Sequence, residues 1–513
     1  MDKNKFKLFL PYFVCLFLGI VFGLSIAVIN QGENPWIGWV GGSVLFTICF
    51  LLLFLAWRWS KSPLAIAICM ALAFLFRFSL GLSISGSLPI WGYDEPAPKN
   101  GYLYSDAFKR DTDAWKLAQS NESLLSAFGN EFISDQYGGL LSLSAAVYRV
   151  FSPDAHRPLL ILLLTAIAPA LGVPFLWKAL QKRWNEKLAN LSSWVFALYP
   201  ESIILSCSQM REPFIIGLSA IAFWGVVEWQ TDHRNSLLLL FFSSLGIVFF
   251  SFRAAIAIIA LLAVWFWFDN VDFSLRKFWK TISWVVLGLI TVGAIFVGLN
   301  WLLNSARWDL YLMEASSGRI QFELDTVGNQ FRIPFIIGYG LLQPVLPAAI
   351  AYPGILIMRL IAIFRALGWY VILPPLIFSI ITIWKIKPEK DRKIWATFIL
   401  AIIIWSFISS FRAGGDQWDN VRYRAIFTTW IILVGSWGFL YAFENKTSWL
   451  WRIYTIECVF VLAFLQWYLS RYYLLFGRLR FWTMVLVIIG ISSMIVVGGS
   501  CFDSWKARKR ISQ

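Results

Sequence analysis

The sequence predicts an all-α, polytopic membrane protein built from about fourteen transmembrane helices. Three observations carry this reading. Of 513 residues, 59% are hydrophobic and only 14% are charged, whereas soluble domains carry roughly a quarter charged residues. Mean hydropathy over the chain is +0.67. Apolar runs long enough to cross a bilayer, which takes about 20 residues, recur along nearly the whole length.

The runs follow in order. The first, 8–29, comes after Lys3, Lys5 and Lys7 as a signal peptide would, but no small-residue cleavage site is convincing, so it reads as an anchor. Runs 36–57 and 63–85 precede a polar stretch, 86–156. Next come 157–178, 189–206, 213–230, 236–252, 254–268 and 281–303, with Arg253 interrupting the pair at 236–268. A long segment, 304–366, separates these from 367–386, 394–411, 424–442, 452–470 and 480–500. Within it FIIGYGLLQPVLPAAI (335–350) carries Pro344 and Pro347, which suits a broken or surface-lying piece better than a continuous span. The whole chain, 1–513, reads as a single integral membrane domain.

Basic loops set the expected orientation, because short cytoplasmic loops collect Lys and Arg. One topology places Lys3/Lys5/Lys7, Arg58/Lys61, Lys178 through Lys187, Arg276 through Lys280, Lys385 through Lys393 and the tail Lys506–Arg510 all inside, with both termini cytoplasmic. It requires 137–152 to lie on the outer surface as a short amphipathic helix. The outer side then holds 86–156, a tight turn at 207–212, 304–366 and 412–423. Lys dominates the inner loops and Arg the outer ones. Planar, two-pronged guanidinium suits phosphate and carboxylate, so the outer face reads as one that handles anions.

Composition argues against several function classes. Six cysteines (Cys15, Cys49, Cys69, Cys207, Cys458, Cys501) show no metal spacing and read as small apolar residues. With only His156 and His233 present, a His-built metal centre or Ser-His-Asp machinery is not expected. Walker, dinucleotide and HExxH motifs are absent, and nothing points to nucleic acid. Chemistry on the outer face must therefore use a substrate delivered there, and a lipid-carried one is the natural candidate.

Three stretches could carry that chemistry. The densest acidic cluster lies between Tyr93 and Tyr137, and its core is YSDAFKRDTDAWKLAQS with Asp106, Asp111 and Asp113. Ala114, Trp115, Leu117 and Ala118 suggest a short helix resting on the membrane, with Asp111 or Asp113 near its N-terminus, where the helix dipole favours a carboxylate. An N-cap alone accounts for one such acid, not three. The turn SQMREPF brings Arg211 and Glu212 to the same face, as an ion pair or as a substrate contact. The late loop FRAGGDQWDNVRYRAIF sets Arg422 and Arg424 at the mouth of the following helix, where they can grip a lipid phosphate or anchor the interface. Arg77 and Arg253 lie in or between apolar runs, and Arg253 is expected to face a polar cavity.

These features resemble the GT-C superfold of membrane glycosyltransferases, the branch with protein O-mannosyltransferases and the lipid A aminoarabinose transferase. The resemblance rests on the acid-bearing first outer loop after a helix with Arg77, the surface helix beginning DQYGG (Asp135, Gln136, Tyr137), the turn at Lys178–Lys187, the YPE…REP turn (199–213) and the late Arg422-Tyr423-Arg424. It implies transfer of a sugar from a polyprenyl-phosphate-linked donor to a hydroxyl of a protein, lipid or polysaccharide acceptor. It places the activity on the extracytoplasmic face of an inner membrane of bacterial type. An Asp of the first outer loop would be the general base, Asp106 or Asp111 with Asp113 next. Arg211, Arg253, Arg422 and Arg424 would hold the donor phosphate, and Asp135, Gln136, Tyr137 and Glu212 would complete the substrate site. The chain differs from the family in having spaced aspartates instead of an adjacent Asp-Glu pair, and in two extra helices at 8–29 and 36–57. No cofactor is required; a divalent cation is optional, since Asp-Thr-Asp supplies too few oxygen ligands alone. A lipid-linked glycan polymerase or ligase, and a transporter or flippase, are the alternative readings.

Overall fold

A computed structural model describes residues 3–29, 34–129, 131–132, 138–271, 332–413, 416, 418–477 and 479–511, with a few short pairs between 281 and 289. Among the described residues the structure is helical, with no strand. Eleven helices among the described residues are long and apolar enough to cross a membrane, and twelve if Asp419–Ala425 and Thr428–Glu444, bent by 76°, form one broken span. The protein is thus an all-helical polytopic membrane protein. Of the fourteen expected runs, 213–230 forms a helix of 17 residues, Glu212–Glu228, at the lower limit of the spanning range. The run 281–303 lies almost wholly outside the described residues, as do 304–331.

The chain divides into two compact units, Met1–Val264 with Ala425–Thr429, and Trp265–Arg424 with Trp430–Gln513. The first contains α1 (Lys3–Ile29), α2 (Pro35–Ser60), α3 (Leu64–Trp91), the one-turn α4 (Pro96–Lys99), α5 (Ser105–Gln119), α6 (Gly139–Phe151), α7 (Leu159–Arg183), α8 (Glu186–Leu198), α9 (Pro200–Cys207), α10 (Glu212–Glu228), α11 (His233–Phe250) and α12 (Phe252–Phe266). The second contains α13 (Arg332–Leu342), α14 (Leu346–Ala351), α15 (Leu356–Thr382), α16 (Glu389–Ala413), all but the last residue of α17 (Asp419–Ala425), all but the first two residues of α18 (Thr428–Glu444), α19 (Trp449–Tyr472) and α20 (Phe481–Ile511).

Small residues let apolar helices approach where lipid offers no hydrophobic drive. Gly19 and Gly23, four apart on α1, face Thr47 and Ser43, four apart on α2. A Cβ on Gly23 would stand 2.5 Å from the Ser43 backbone nitrogen, so the hairpin closes only with glycine there. In α7, the helix at the centre of this unit, Gly172 meets Gly217 of α10, with 3.3 Å from a would-be Cβ to the Gly217 Cα.

One span is broken, and a buried arginine fills the break. Pro200 has no N–H, so the Phe196 carbonyl loses its helical donor and α8 ends at Leu198. Arg77, fully buried on α3, donates to the Ala197 carbonyl at 2.6 Å, the Phe196 carbonyl at 3.4 Å and Ser202 Oγ at 3.1 Å. The Arg77 guanidinium thereby meets backbone carbonyls at the break, among them the one that Pro200 leaves without a donor.

Short connections at 61–63, 184–185, 208–211 and 229–232 make successive spans of this unit antiparallel. One end therefore gathers Lys61, Lys178, Lys182, Arg183 and Lys187; there Lys178 reaches the Trp59 carbonyl and Lys182 pairs with Glu228. The other end gathers α4, α5, α6, the loop 152–158 and the turn 208–211, which Arg110 joins by donating to the Gln209 carbonyl. The stretch 137–152 yields α6, thirteen residues or about 20 Å long, too short to cross. The expected break at 335–350 is present: α13 and α14 are separated by Gln343–Val345.

Candidate active site

Four segments of the first unit converge on one carboxylate. Gly101, at φ +80°, turns the chain after α4 so that Tyr102 points inward and is buried. Asp111 projects from the middle of α5 with only 2% of its surface exposed. Tyr148 comes from the buried face of α6, and His156 from the loop 152–158 before α7. Tyr102 donates its hydroxyl to Asp111 Oδ2 at 2.5 Å, Tyr148 donates to Oδ1 at 2.7 Å, and His156 Nε2 lies 2.8 Å from Oδ2.

The surrounding packing holds each donor. Gly138, at φ +69°, opens α6 where a Cβ would meet the Ala127 carbonyl at 2.5 Å. Next to Tyr148, Arg149 donates to the carbonyls of Leu117 at 2.6 Å, Ala118 at 3.2 Å, Ser120 at 3.1 Å and Glu122 at 2.6 Å, and so caps the C-terminus of α5. The His156 ring stacks on Trp115 (centroids 5.4 Å apart, 20° between planes) and meets Tyr148 edge-on at 5.1 Å. Its loop is fixed by the buried Arg157, which forks onto Asp154 at 2.5 and 2.8 Å and reaches Ser152 Oγ and the Asn34 carbonyl.

A carboxylate can only accept, so two phenols and an imidazole N–H supply three of its donors. Burial, reinforced by the Asp111 charge and the hydrogen bonds to it, pushes both phenols well above the ordinary tyrosine value, while Arg110 pulls the other way. Tyr102 and Tyr148 are therefore fixed, neutral donors. With Nε2–H directed at Asp111, Nδ1 is the nitrogen that carries the lone pair. The His156 side chain is 29% exposed against 2% for Asp111. The arrangement is a buried carboxylate orienting a partly exposed imidazole, which can take up and return a proton at Nδ1.

The other expected site residues fall out as follows. α5 begins at Ser105, so Asp106 is the acid of its first turn, and Asp111 and Asp113 lie further along. The acid at the N-terminus of the helix is therefore the exposed Asp106, not Asp111 or Asp113, because the helix starts several residues earlier than its apolar positions suggest. Asp113 pairs with Lys116 at 3.1 Å. Residues two apart on a helix do not share a face, so Asp111 and Asp113 do not form a common cation site. Among the described residues no group of three His, Cys, Asp or Glu side chains could hold a metal ion. Arg211 and the buried Glu212 stand together (Nε to Oε1, 4.0 Å) in the turn that Arg110 links to α5. Arg253 is half-buried in the first turn of α12. Asp135, Gln136 and Tyr137 lie outside the described residues.

Arg422 and Arg424 belong to the second unit, on the short helix α17. Arg424 lies 3.5 Å over the Trp369 ring and donates to the carbonyls of Leu341 and Gln343; Arg422 pairs with Asp419 at 3.3 Å. Both guanidinium groups are buried, at 2% and 4% residue exposure.

Tyr102, Tyr148 and His156 were not singled out from the sequence. The one available signal was position: His156 is one of two histidines and stands just ahead of a span, on the same side as the acidic stretch. No protein-family model matches the chain, and none of the curated proteins matches it.

Proposed function

We propose that this protein is an integral membrane glycosyltransferase of the GT-C type, moving a sugar from a polyprenyl-phosphate donor to a hydroxyl acceptor, with Asp111 and His156 as its acid–base centre. The observation that carries the reading is the 2.8 Å contact between a buried, triply engaged carboxylate and a partly exposed imidazole. Orientation supports it. Lys61, Lys178, Lys182, Arg183 and Lys187 gather at the opposite end of the unit, and a Lys-rich end reads as cytoplasmic. The dyad end is then extracytoplasmic, where only lipid-carried sugar is at hand.

In this reading the base is the imidazole rather than Asp106 or Asp111 itself. As the acceptor oxygen attacks the anomeric carbon, its proton passes to His156 Nδ1 and the bond from that carbon to the phosphate oxygen breaks. Asp111 stabilises the imidazolium that forms, as a buried carboxylate does in a catalytic triad. The leaving polyprenyl phosphate departs as an anion and needs no general acid. Arg211, in the turn tied to α5, and Arg253, in the first turn of α12, are the residues of this unit assigned to that phosphate. The proton then leaves His156 for water.

Reconstituted protein should be offered a set of polyprenyl-phosphate sugars together with a membrane extract as source of hydroxyl acceptors, and assayed for released polyprenyl phosphate. Release by the wild type, cut by a factor of about 100 or more in Asp111→Asn, supports the proposal. No release from any donor, or equal release by the variant, counts against it.

A further inference from the structure

At the end of the first unit away from the dyad, α2, α7, α10 and α11 enclose an apolar groove of about 550 Å³. Its walls include Leu52, Leu171, Ile221 and Leu238, and its mouth carries Lys178, Glu228 and Asn235. The α7 residues from Leu159 to Lys178 span about 28 Å of helix, close to the hydrocarbon thickness of a bilayer. The groove mouth therefore sits a membrane's width from His156 and belongs to no part of the proposed reaction.

The charges at the mouth do not cancel. Lys182 is committed to Glu228 at 2.8 Å and to Thr231 Oγ1 at 2.5 Å, and Asn235 is held by Asp232. Lys178 is placed differently. Its ammonium rests 4.3 Å from the Trp59 ring centroid and 5.2 Å from that of Trp224, with one long hydrogen bond, 3.4 Å, to the Trp59 carbonyl. Two indoles hold the cation at the rim by cation–π attraction and use none of its remaining N–H donors. Glu228 acts on Lys178 with opposite sign, but Lys61 and Lys182, the latter 5.1 Å from the same Trp224 ring centroid, add two positive charges nearby. An apolar slot among spanning helices, topped by an aromatic-caged ammonium at headgroup height, matches one kind of ligand in both its parts.

We infer that this groove is a binding site for an anionic phospholipid, one acyl chain lying among α2, α7, α10 and α11 and the phosphodiester accepting hydrogen bonds from Lys178. The ligand is a resident lipid of the face opposite the dyad, distinct from any sugar carrier, and its binding does not depend on transferase activity.

The test is lipid binding by the delipidated full-length protein, read by native mass spectrometry during titration with phosphatidylglycerol or with phosphatidylcholine of the same chains. The wild type should prefer phosphatidylglycerol. Lys178→Met should lower that preference about 5-fold, the worth of one Lys near an anionic surface, and leave phosphatidylcholine unchanged. Lys187→Met, on the same face but outside the groove, should not. Leu238→Trp, at a wall position already 46% exposed, should fill the groove and reduce binding of both lipids with Lys178 intact. Equal binding of the two lipids by the wild type, or an unchanged preference in Lys178→Met, would mean an annular lipid only and would overturn the inference.

Discussion

Asp111 Oδ2 and His156 Nε2 lie 2.8 Å apart, although 45 residues separate them in the chain. α5, α6 and the loop 152–158 each contribute side chains that fix the pair. Trp115 stacks on the imidazole, Tyr148 donates to the carboxylate, and Arg149 locks α6 to the end of α5. The carboxylate is thus positioned by the fold and the imidazole by the carboxylate.

The first consequence concerns the two phenols. Tyr102→Phe and Tyr148→Phe each remove one donor from a buried charge, and each should cost about 1.5–3 kcal/mol. Thermal unfolding in detergent measures this. Because both bonds meet on Asp111, the double variant should depart from the sum of the singles; strict additivity would argue that the two hydroxyls do not share one carboxylate.

Stability should also depend on pH in a defined direction. Tyr102 and Tyr148 are raised in the folded state, so their contribution is complete below the unfolded tyrosine value of about 10 and is lost as pH rises beyond it. The wild type should outlast the double Phe variant at about pH 8, and the gap should narrow towards about pH 11. Asp154 runs the other way. The Arg157 hydrogen bond lowers its folded value, so its contribution is present above the unfolded carboxyl value of about 3.9 and is lost as pH falls through the folded one. An Asp154→Asn variant should therefore lose its disadvantage in acid.

Arg77 is a structural residue on this account. Arg77→Leu keeps bulk but leaves the Phe196 and Ala197 carbonyls unmet, at about 1–3 kcal/mol each. Purified variant protein should melt well below wild type. Pro200→Ala, which restores an N–H to the broken span, should relieve part of the loss; no relief would mean that the arginine serves some other group.

Much of the fold is written in the sequence because hydrophobic length is a local property. Thirteen of the expected runs fall on described helices or a bent helix pair, although α15 begins at Leu356, inside the segment 304–366 expected to lie between spans, and even the break near Pro344 could be read from its prolines. The site was legible only in part. Asp111 stood out as one acid among eight because charge is conspicuous in an apolar chain. Its depth did not, since burial depends on where α6 and the 152–158 loop return. Tyr102 and Tyr148 are two of seventeen tyrosines, and nothing local distinguishes a tyrosine that meets a carboxylate. The start of α5 was misplaced because Asp106 and its neighbours are polar, and the helix there is held by tertiary contacts such as Arg110 to the Gln209 carbonyl.

The central claim is that His156 accepts the acceptor's proton, and chemical rescue tests it most directly. His156→Gly protein should be assayed with a productive polyprenyl-phosphate sugar, with and without added imidazole. The account predicts a fall in turnover of about 100-fold or more, partly restored by imidazole in a concentration-dependent way, with donor binding little changed. A His156→Gly variant that turns over at the wild-type rate without imidazole would contradict it.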